Sequence, residues 1–364
     1  MEDSVRRCTH LFSGRFLVSL ALAGVLMFGA GAAGAQTLVY VANAVDDTVS
    51  VIDTTTNTVT ATIPVGDEPA GVTATPNGAF VYVANNNDST VSVIDVMTNT
   101  VVATVSDGTD PAIVAITPDS AFVYVTNFSS NSVSVISTAT NTVVATVPVG
   151  SGPTSVAITP DGSFAYVPDN GGTVSVIATA TNTVAATIPV GGDLRGVAIT
   201  PNGAFAYVGS LFSGTVYVID TATNAVVDTV PGLSTPVGLA ITPNGSFAYT
   251  TQLLTGSVAV ISTGSNSVVA TVPVGSFPLL VAITPNGAFA YVTNTSSNTV
   301  SVIDTATNTV VATVPVGNFP QGIAIVVKPQ GPTSVEQCKK YGWRTFTNPT
   351  FKNQGQCVAY VNHL

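Results

Sequence analysis

Seven tyrosines, Tyr40, Tyr82, Tyr124, Tyr166, Tyr207, Tyr249 and Tyr291, lie 42, 42, 42, 41, 42 and 42 residues apart. A fixed period of this length means that one supersecondary unit is stacked repeatedly, so the chain must fold as a repeat architecture. Within each period four short β runs alternate with turn signals. In residues 70–110 the first run is Gly71-Val72-Thr73-Ala74. It is followed by Thr75-Pro76-Asn77-Gly78, where Pro presets φ and Gly accepts the positive φ of a tight hairpin. The second run, residues 80–84, puts Phe80 and Tyr82 on one face and Val81 and Val83 on the other, which predicts a strand buried on both faces. Residues 91–94 and 101–105 supply two more strands. Four strands in about 42 residues fit a propeller blade; a β-helix coil is shorter, and a βαβ unit would need a helical stretch that is missing.

The turn between the third and fourth runs holds an Asn in every copy: Asn57, Asn99, Asn141, Asn182, Asn224, Asn266 and Asn308. It reads as a left-handed turn residue. The preceding Asp or Ser (Asp53, Asp95, Ser137, Asp220, Ser262, Asp304) is expected to bond its own turn, and Ala178 is the exception. The first copy begins at the second strand of the period, Leu38-Val39-Tyr40. The last ends on a first strand, Gly322-Ile323-Ala324-Ile325, that has no continuation. Pairing these ends makes one whole blade from three N-terminal strands and one C-terminal strand, whereas an open array leaves two apolar edges in water. The expected fold is an all-β, closed, seven-bladed propeller of four-stranded blades spanning residues 36–327.

Charge restricts the partners. Between residues 36 and 327 there are 16 acidic residues and one basic one, Arg195, a net charge of -15. Phosphate backbones would be repelled, so nucleic acid is not an expected partner. Residues 1–35 read as an export signal, with Arg6, Arg7 and Arg15 ahead of an apolar run and Ala33-Gly34-Ala35 as the cleavage site; the apolar run is short for a membrane anchor. The mature protein is then extracellular, at the cell surface or periplasmic, with no span. Two cysteines remain, Cys338 and Cys357, an even number that predicts a disulfide in an exported protein.

The YV[TA]N start, the SVID run, the GVAITPNG hairpin and the TATNTVVATVPVG stretch, complete at residues 305–317, resemble the YVTN-repeat β-propellers of prokaryotic cell-surface and surface-layer proteins. The resemblance covers residues 38–325. Copies four to six depart at the namesake site, with Tyr166-Val167-Pro168-Asp169, Tyr207-Val208-Gly209-Ser210 and Tyr249-Thr250-Thr251-Gln252. It implies an exported scaffold for adhesion or protein contact, and no reaction; the chain is further expected to be a monomer that needs no cofactor and contacts a protein or cell-envelope polymer.

Loops between the second and third strands share one end of a propeller with the connections between blades. That end is expected to collect Asp46, Asp47, Asp67, Glu68, Asp88, Asp107, Asp110, Asp169 and Asp193. Leu211, Phe212, Leu253, Leu254, Phe277 and Phe319 fall at loop positions where other copies hold Ser, Asn or Gly. The expectation is a two-toned face, an acidic arc and an apolar arc. The acids either keep a chain almost free of Lys in solution, or form a partner surface with the apolar arc, or, at Asp46, Asp47, Asp67 and Glu68, admit Ca2+. Some seven-bladed propellers are lactonases. A hydrolase acting at the central channel is therefore the alternative function, resting on carboxylates because the body has no His and no Cys and only one Glu.

After a linker at residues 328–332, composition changes abruptly in residues 333–364. Thr333-Ser334-Val335-Glu336 is a capping-box pattern ahead of a short helix, and residues 353–362 predict a second. A Cys338 to Cys357 bridge would close a loop of about 20 residues and contribute roughly 3 kcal/mol. The stretch resembles a short terminal element of various secreted bacterial proteins. Its net positive charge suggests docking on the acidic body or on anionic wall polymer.

Overall fold

The computed structural model describes residues 36–328, 339 and 352–361. Residues 1–35, read as an export signal, most of the linker and the first half of the tail, with Cys338, lie outside the described residues. Cys357 is buried in a helix, Gln354–Val361, and is a disulfide half-cystine; the pairing expected with Cys338 is not among the described contacts. No described helix is long and apolar enough to cross a membrane.

Seven four-stranded antiparallel sheets form the body. From axis to rim, blade 1 runs Pro320–Val327, Thr37–Asn43, Thr48–Asp53 and Thr58–Pro64. The two ends of the repeat array are thus hydrogen-bonded neighbours, with Val41 opposite Ile323 and Val39 opposite Ile325. Blades 2 to 7 each keep their four strands in chain order. The expected closure is what the fold has: the last inner strand is paired with the first copy of the repeat and completes its blade.

Both faces of each second strand are apolar because each lies between two blade interfaces. In blade 1, Tyr40 and Ala42 pack with Val81, Val83 and Ile94 of blade 2. On the opposite face Val39 and Val41 pack with Tyr291, Val300 and Val302 of blade 7. A strand with only one apolar face could not join two neighbours.

The two most regular residues of the repeat meet each other, which the sequence reading missed. Each tyrosine hydroxyl donates to the turn asparagine of the following blade: Tyr40 to Asn99 at 2.7 Å, Tyr82 to Asn141 at 3.0 Å, Tyr207 to Asn266 at 2.6 Å and Tyr249 to Asn308 at 2.7 Å. Tyr124 and Tyr166 reach Asn182 and Asn224 in the same way. Tyr291 of blade 7 completes the circle on Asn57 of blade 1 at 2.9 Å. These asparagines have φ between 46° and 54°, the left-handed turn expected of them. The side chains of Asp53, Asp95, Asp220 and Asp304 accept amide hydrogens from their own turns.

The rim strands leave valines in water for an identifiable reason. Opposite Val93 and Ile94 stand Ala103 and Val101, so Val102 is skipped as a β-bulge. Val144, Val227, Val269 and Val311 are skipped at the same place. A bulge in an outermost strand twists it and breaks the row of groups that another chain could pair with.

Candidate functional site

The strand order puts the loops between second and third strands on the same end as the blade connections, as expected. The chain leaves the last inner strand at the other end, where Val327 pairs with Thr37. Several of the acids at the loop end make structural hydrogen bonds. Asp46 accepts from the backbone N of Asn318 at 2.7 Å and from its Nδ2 at 2.8 Å; Asp88 accepts from the amide of Asp67 at 2.8 Å. Ser130 and Ser297 hold the equivalent amides of Thr109 and Ser276 at 2.9 and 2.8 Å. One residue further, Asp47 takes the Glu68 amide, as Asn131 takes that of Gly152 and Asn298 that of Phe319. Asp110 accepts from the Ser129 hydroxyl. Asp46, Asp47 and Asp88 are therefore loop latches in which Asp replaces Ser or Asn.

Among the described residues no cluster of three or more acidic, His or Cys side chains has metal-holding geometry. Asp46 is tied to Asn318, Asp47 to the Glu68 amide and Asp67 through its amide to Asp88, and the four carboxylates do not form such a cluster.

Two expectations for this face are corrected. Leu211 is only 2% exposed and offers no contact surface. Asp107 stands where Val65, Val149, Val274 and Val316 stand in other copies, and both its carboxylate oxygens are buried with no partner at hydrogen-bond geometry. Burial pushes its pKa up, against the weaker pull of Ser134, the Gly108 amide and Asn127. The folded state thus favours the protonated form, and this contribution to stability is lost as pH rises through the raised pKa. Asp107→Val is expected to stabilise the protein by about 1–3 kcal/mol at neutral pH. Urea midpoints measured against pH should show the gain narrowing in acid; a variant less stable than the parent at neutral pH would contradict this account.

Two of the six residues expected in the apolar arc are well exposed. Phe212 and Leu254 are 50% and 61% exposed. Leu253, Phe277 and Phe319 are half-buried. Phe277 and Phe319 end consecutive connections and hold φ of 53° and 58° immediately before Pro278 and Pro320. Glu68, Asp110, Gly152 and Thr235 hold that left-handed position in other connections.

The same connections lead into the inner strands, which enclose a cavity of about 220 Å3 on the axis. Its wall takes one residue from the same place in every blade: Ala70, Ala112, Thr154, Arg195, Val237, Leu279 and Gln321. Arg195 donates from Nη2 to Asp193 at 2.9 Å, and its Nε is buried without a partner. The inner strand of blade 4 has shrunk to Ala157–Ile158. Beside it, the Thr154 hydroxyl lies 2.9 Å from the carbonyl of Leu194 and 3.0 Å from that of Arg195, which ties blade 4 to the Arg-bearing strand. No Asp, Glu or His is among the residues lining this cavity. The converging carboxylates that a hydrolase at the channel calls for are not in its wall. A shallower groove of about 320 Å3 between blades 6 and 7 is lined by Ser, Thr, Val, Gly and Pro.

With the ring, loop face and channel described, comparison with known proteins places the chain. The family model described as lactonase, 7-bladed beta-propeller, matches residues 97–328. The chain belongs to this family of seven-bladed propellers. A second model, the YNCE-like beta-propeller, matches residues 19–124. Neither model is that of the YVTN repeats. No curated protein matches. Among solved structures, hydrazine synthase of Kuenenia stuttgartiensis is similar at 26% identity and a TM-score of 0.68, over 73% of this chain and 92% of that one. A functionally unknown protein from Desulfotomaculum acetoxidans is 20% identical with a TM-score of 0.70, over 80% and 99%. Dihydro-heme d1 dehydrogenase NirN, in complex with DHE, is 16% identical with a TM-score of 0.60, over 79% and 74%. The last two likenesses concern the fold alone.

Proposed function

We propose that this member of the lactonase-type propellers is an exported, non-catalytic scaffold of the YVTN-repeat kind that holds a protein or cell-envelope polymer on its loop face. The observation that carries the reading is the pair Phe277 and Phe319. The left-handed conformation there is needed by the connection, and Gly152 meets it without strain. A bulky aromatic in it costs about 1–2 kcal/mol, and the ring adds nothing the other connections require. Phe212 and Leu254 are exposed on loops of the same end, and apolar side chains gathered at one end are of the kind that partners cover. The bonds to Asp46 and Asn298 keep the Phe319 connection preset, which limits the entropy lost on binding.

Replacing Phe277 and Phe319 together by Gly is expected to leave the fold intact, to keep or raise the melting temperature, and to lower retention on isolated cell envelopes at least about tenfold. Unchanged retention in a folded variant rejects the reading. A lactone-hydrolysing function has the family match in its favour. Hydrolysis needs a base or an activated nucleophile, and the axial wall offers Arg195, Thr154, Ser155 and Gln321. Turnover of a panel of lactones at the level of a buffer blank is expected.

A further inference from the structure

We propose that the axial channel is a second binding site, separate from the loop face, for a small monocarboxylate with an apolar body. Arg195 receives the carboxylate and the facing inner strands receive the rest of the molecule. Seven positions equivalent by the repeat meet at the channel wall, and only one of them is charged. Arg195 is also the one Lys or Arg in residues 36–327. Its side chain is 22% exposed, so the guanidinium is largely withdrawn from water. One edge of it is held by Asp193, while the Nε–H donor is buried and unmet. That nitrogen has almost no accessible surface, so a ligand in the channel would meet the guanidinium through its terminal nitrogens. The group that matches a guanidinium edge is a planar pair of oxygens, which accepts from two N–H donors at once.

The remainder of the wall sets the other half of the ligand. Ala70, Ala112, Ile113, Val237, Leu279 and Leu280 present apolar surface from blades 2, 3, 6 and 7. A cavity of about 220 Å3 takes a molecule the size of a short-chain fatty acid or benzoate, not a polymer. A net charge of -15 on the body opposes polyanions, which favours a ligand with a single negative charge.

Hexanoate and hexanamide are a matched pair that differs in the charge of the head group, and calorimetry on the full mature chain reads both. Hexanoate is expected to bind at least about tenfold more tightly than hexanamide. Arg195→Gln should remove that difference and Arg195→Lys should restore only part of it, because an ammonium lacks the planar fork. Ala112→Phe, which fills the channel from the blade 3 side, should abolish binding while leaving envelope retention unchanged. Equal affinity for acid and amide, undiminished binding by Arg195→Gln, or no heat with either hexanoate or benzoate up to about 10 mM each overturns the proposal. Thermal melts of the variants guard against misfolding. The Phe277 and Phe319 variants should keep hexanoate binding, so failure of the face and failure of the channel are told apart.

Discussion

Gly322→Ala is expected to break the ring. A Cβ at this position would lie 2.0 Å from the carbonyl oxygen of Ala70 and 2.8 Å from the amide of Val72. Both are backbone atoms of the neighbouring inner strand, so no side chain can swing aside. The strand that carries Gly322, Pro320–Val327, joins blade 1 only through hydrogen bonds to Thr37–Asn43 and packing. It is the one place where the circle is closed without a covalent connection. The expected loss is about 3 kcal/mol or more. Hydrogen exchange should show the amides of residues 37–43 losing protection together. Gly196→Ala makes a similar clash, 2.1 Å from the Val237 carbonyl, but inside the continuous chain. It should lower stability without freeing the terminal strand. Gly264, with nothing within 4 Å of its Cβ position, should tolerate Ala. Full protection of residues 37–43 in folded Gly322→Ala would refute the assignment of closure to this contact.

Alkaline pH is expected to unfold the propeller in one steep step. All seven repeat tyrosines are buried and their pKa values are raised, chiefly by burial. Tyr82, Tyr124, Tyr166, Tyr249 and Tyr291 are pushed up to about 12. For Tyr40 the neighbouring Asp95 carboxylate adds to the effect of burial. In the unfolded chain the phenols ionise near pH 10. A pKa raised in the folded state stabilises fully below the unfolded value and loses that stabilisation as pH climbs towards the folded one. Seven such groups should release up to seven protons as the fold opens between about pH 10 and pH 12. Tyrosinate absorbance and circular dichroism should therefore change together. Titration of these tyrosines at their ordinary pH in a still folded protein would show that burial does not hold the phenols un-ionised.

Much of this was legible because it is local or periodic. The tyrosine spacing gave the repeat, and the TPNG hairpins gave the turn geometry; Gly78, Gly203, Gly245 and Gly287 have φ of 69° to 74°. The split phase of the first and last copies gave the closing blade. The loop acids were placed at the correct end, but their work was not visible. Asp46 bonds Asn318 across 272 residues, and nothing near either residue signals the other. A comparison of aligned copies held the clue: where Asp88 stands, Ser130 and Ser297 stand, which is the mark of an acceptor position and not of a charge. The same comparison would have exposed Asp107 as an acid in a valine position.

The amino-acid order alone determined the number of blades, their strands and the way the circle shuts, because alternation, turn chemistry and period act between near neighbours. The pairing of tyrosine with turn asparagine, the strain at Phe277 and Phe319, and the channel around Arg195 were decided only by the tertiary structure. Ala70, Ala112, Thr154, Arg195, Val237, Leu279 and Gln321 share no chemistry that a pattern could detect. They become one wall only when seven inner strands are brought round a common axis, and that geometry belongs to the ring, not to any single copy of the repeat.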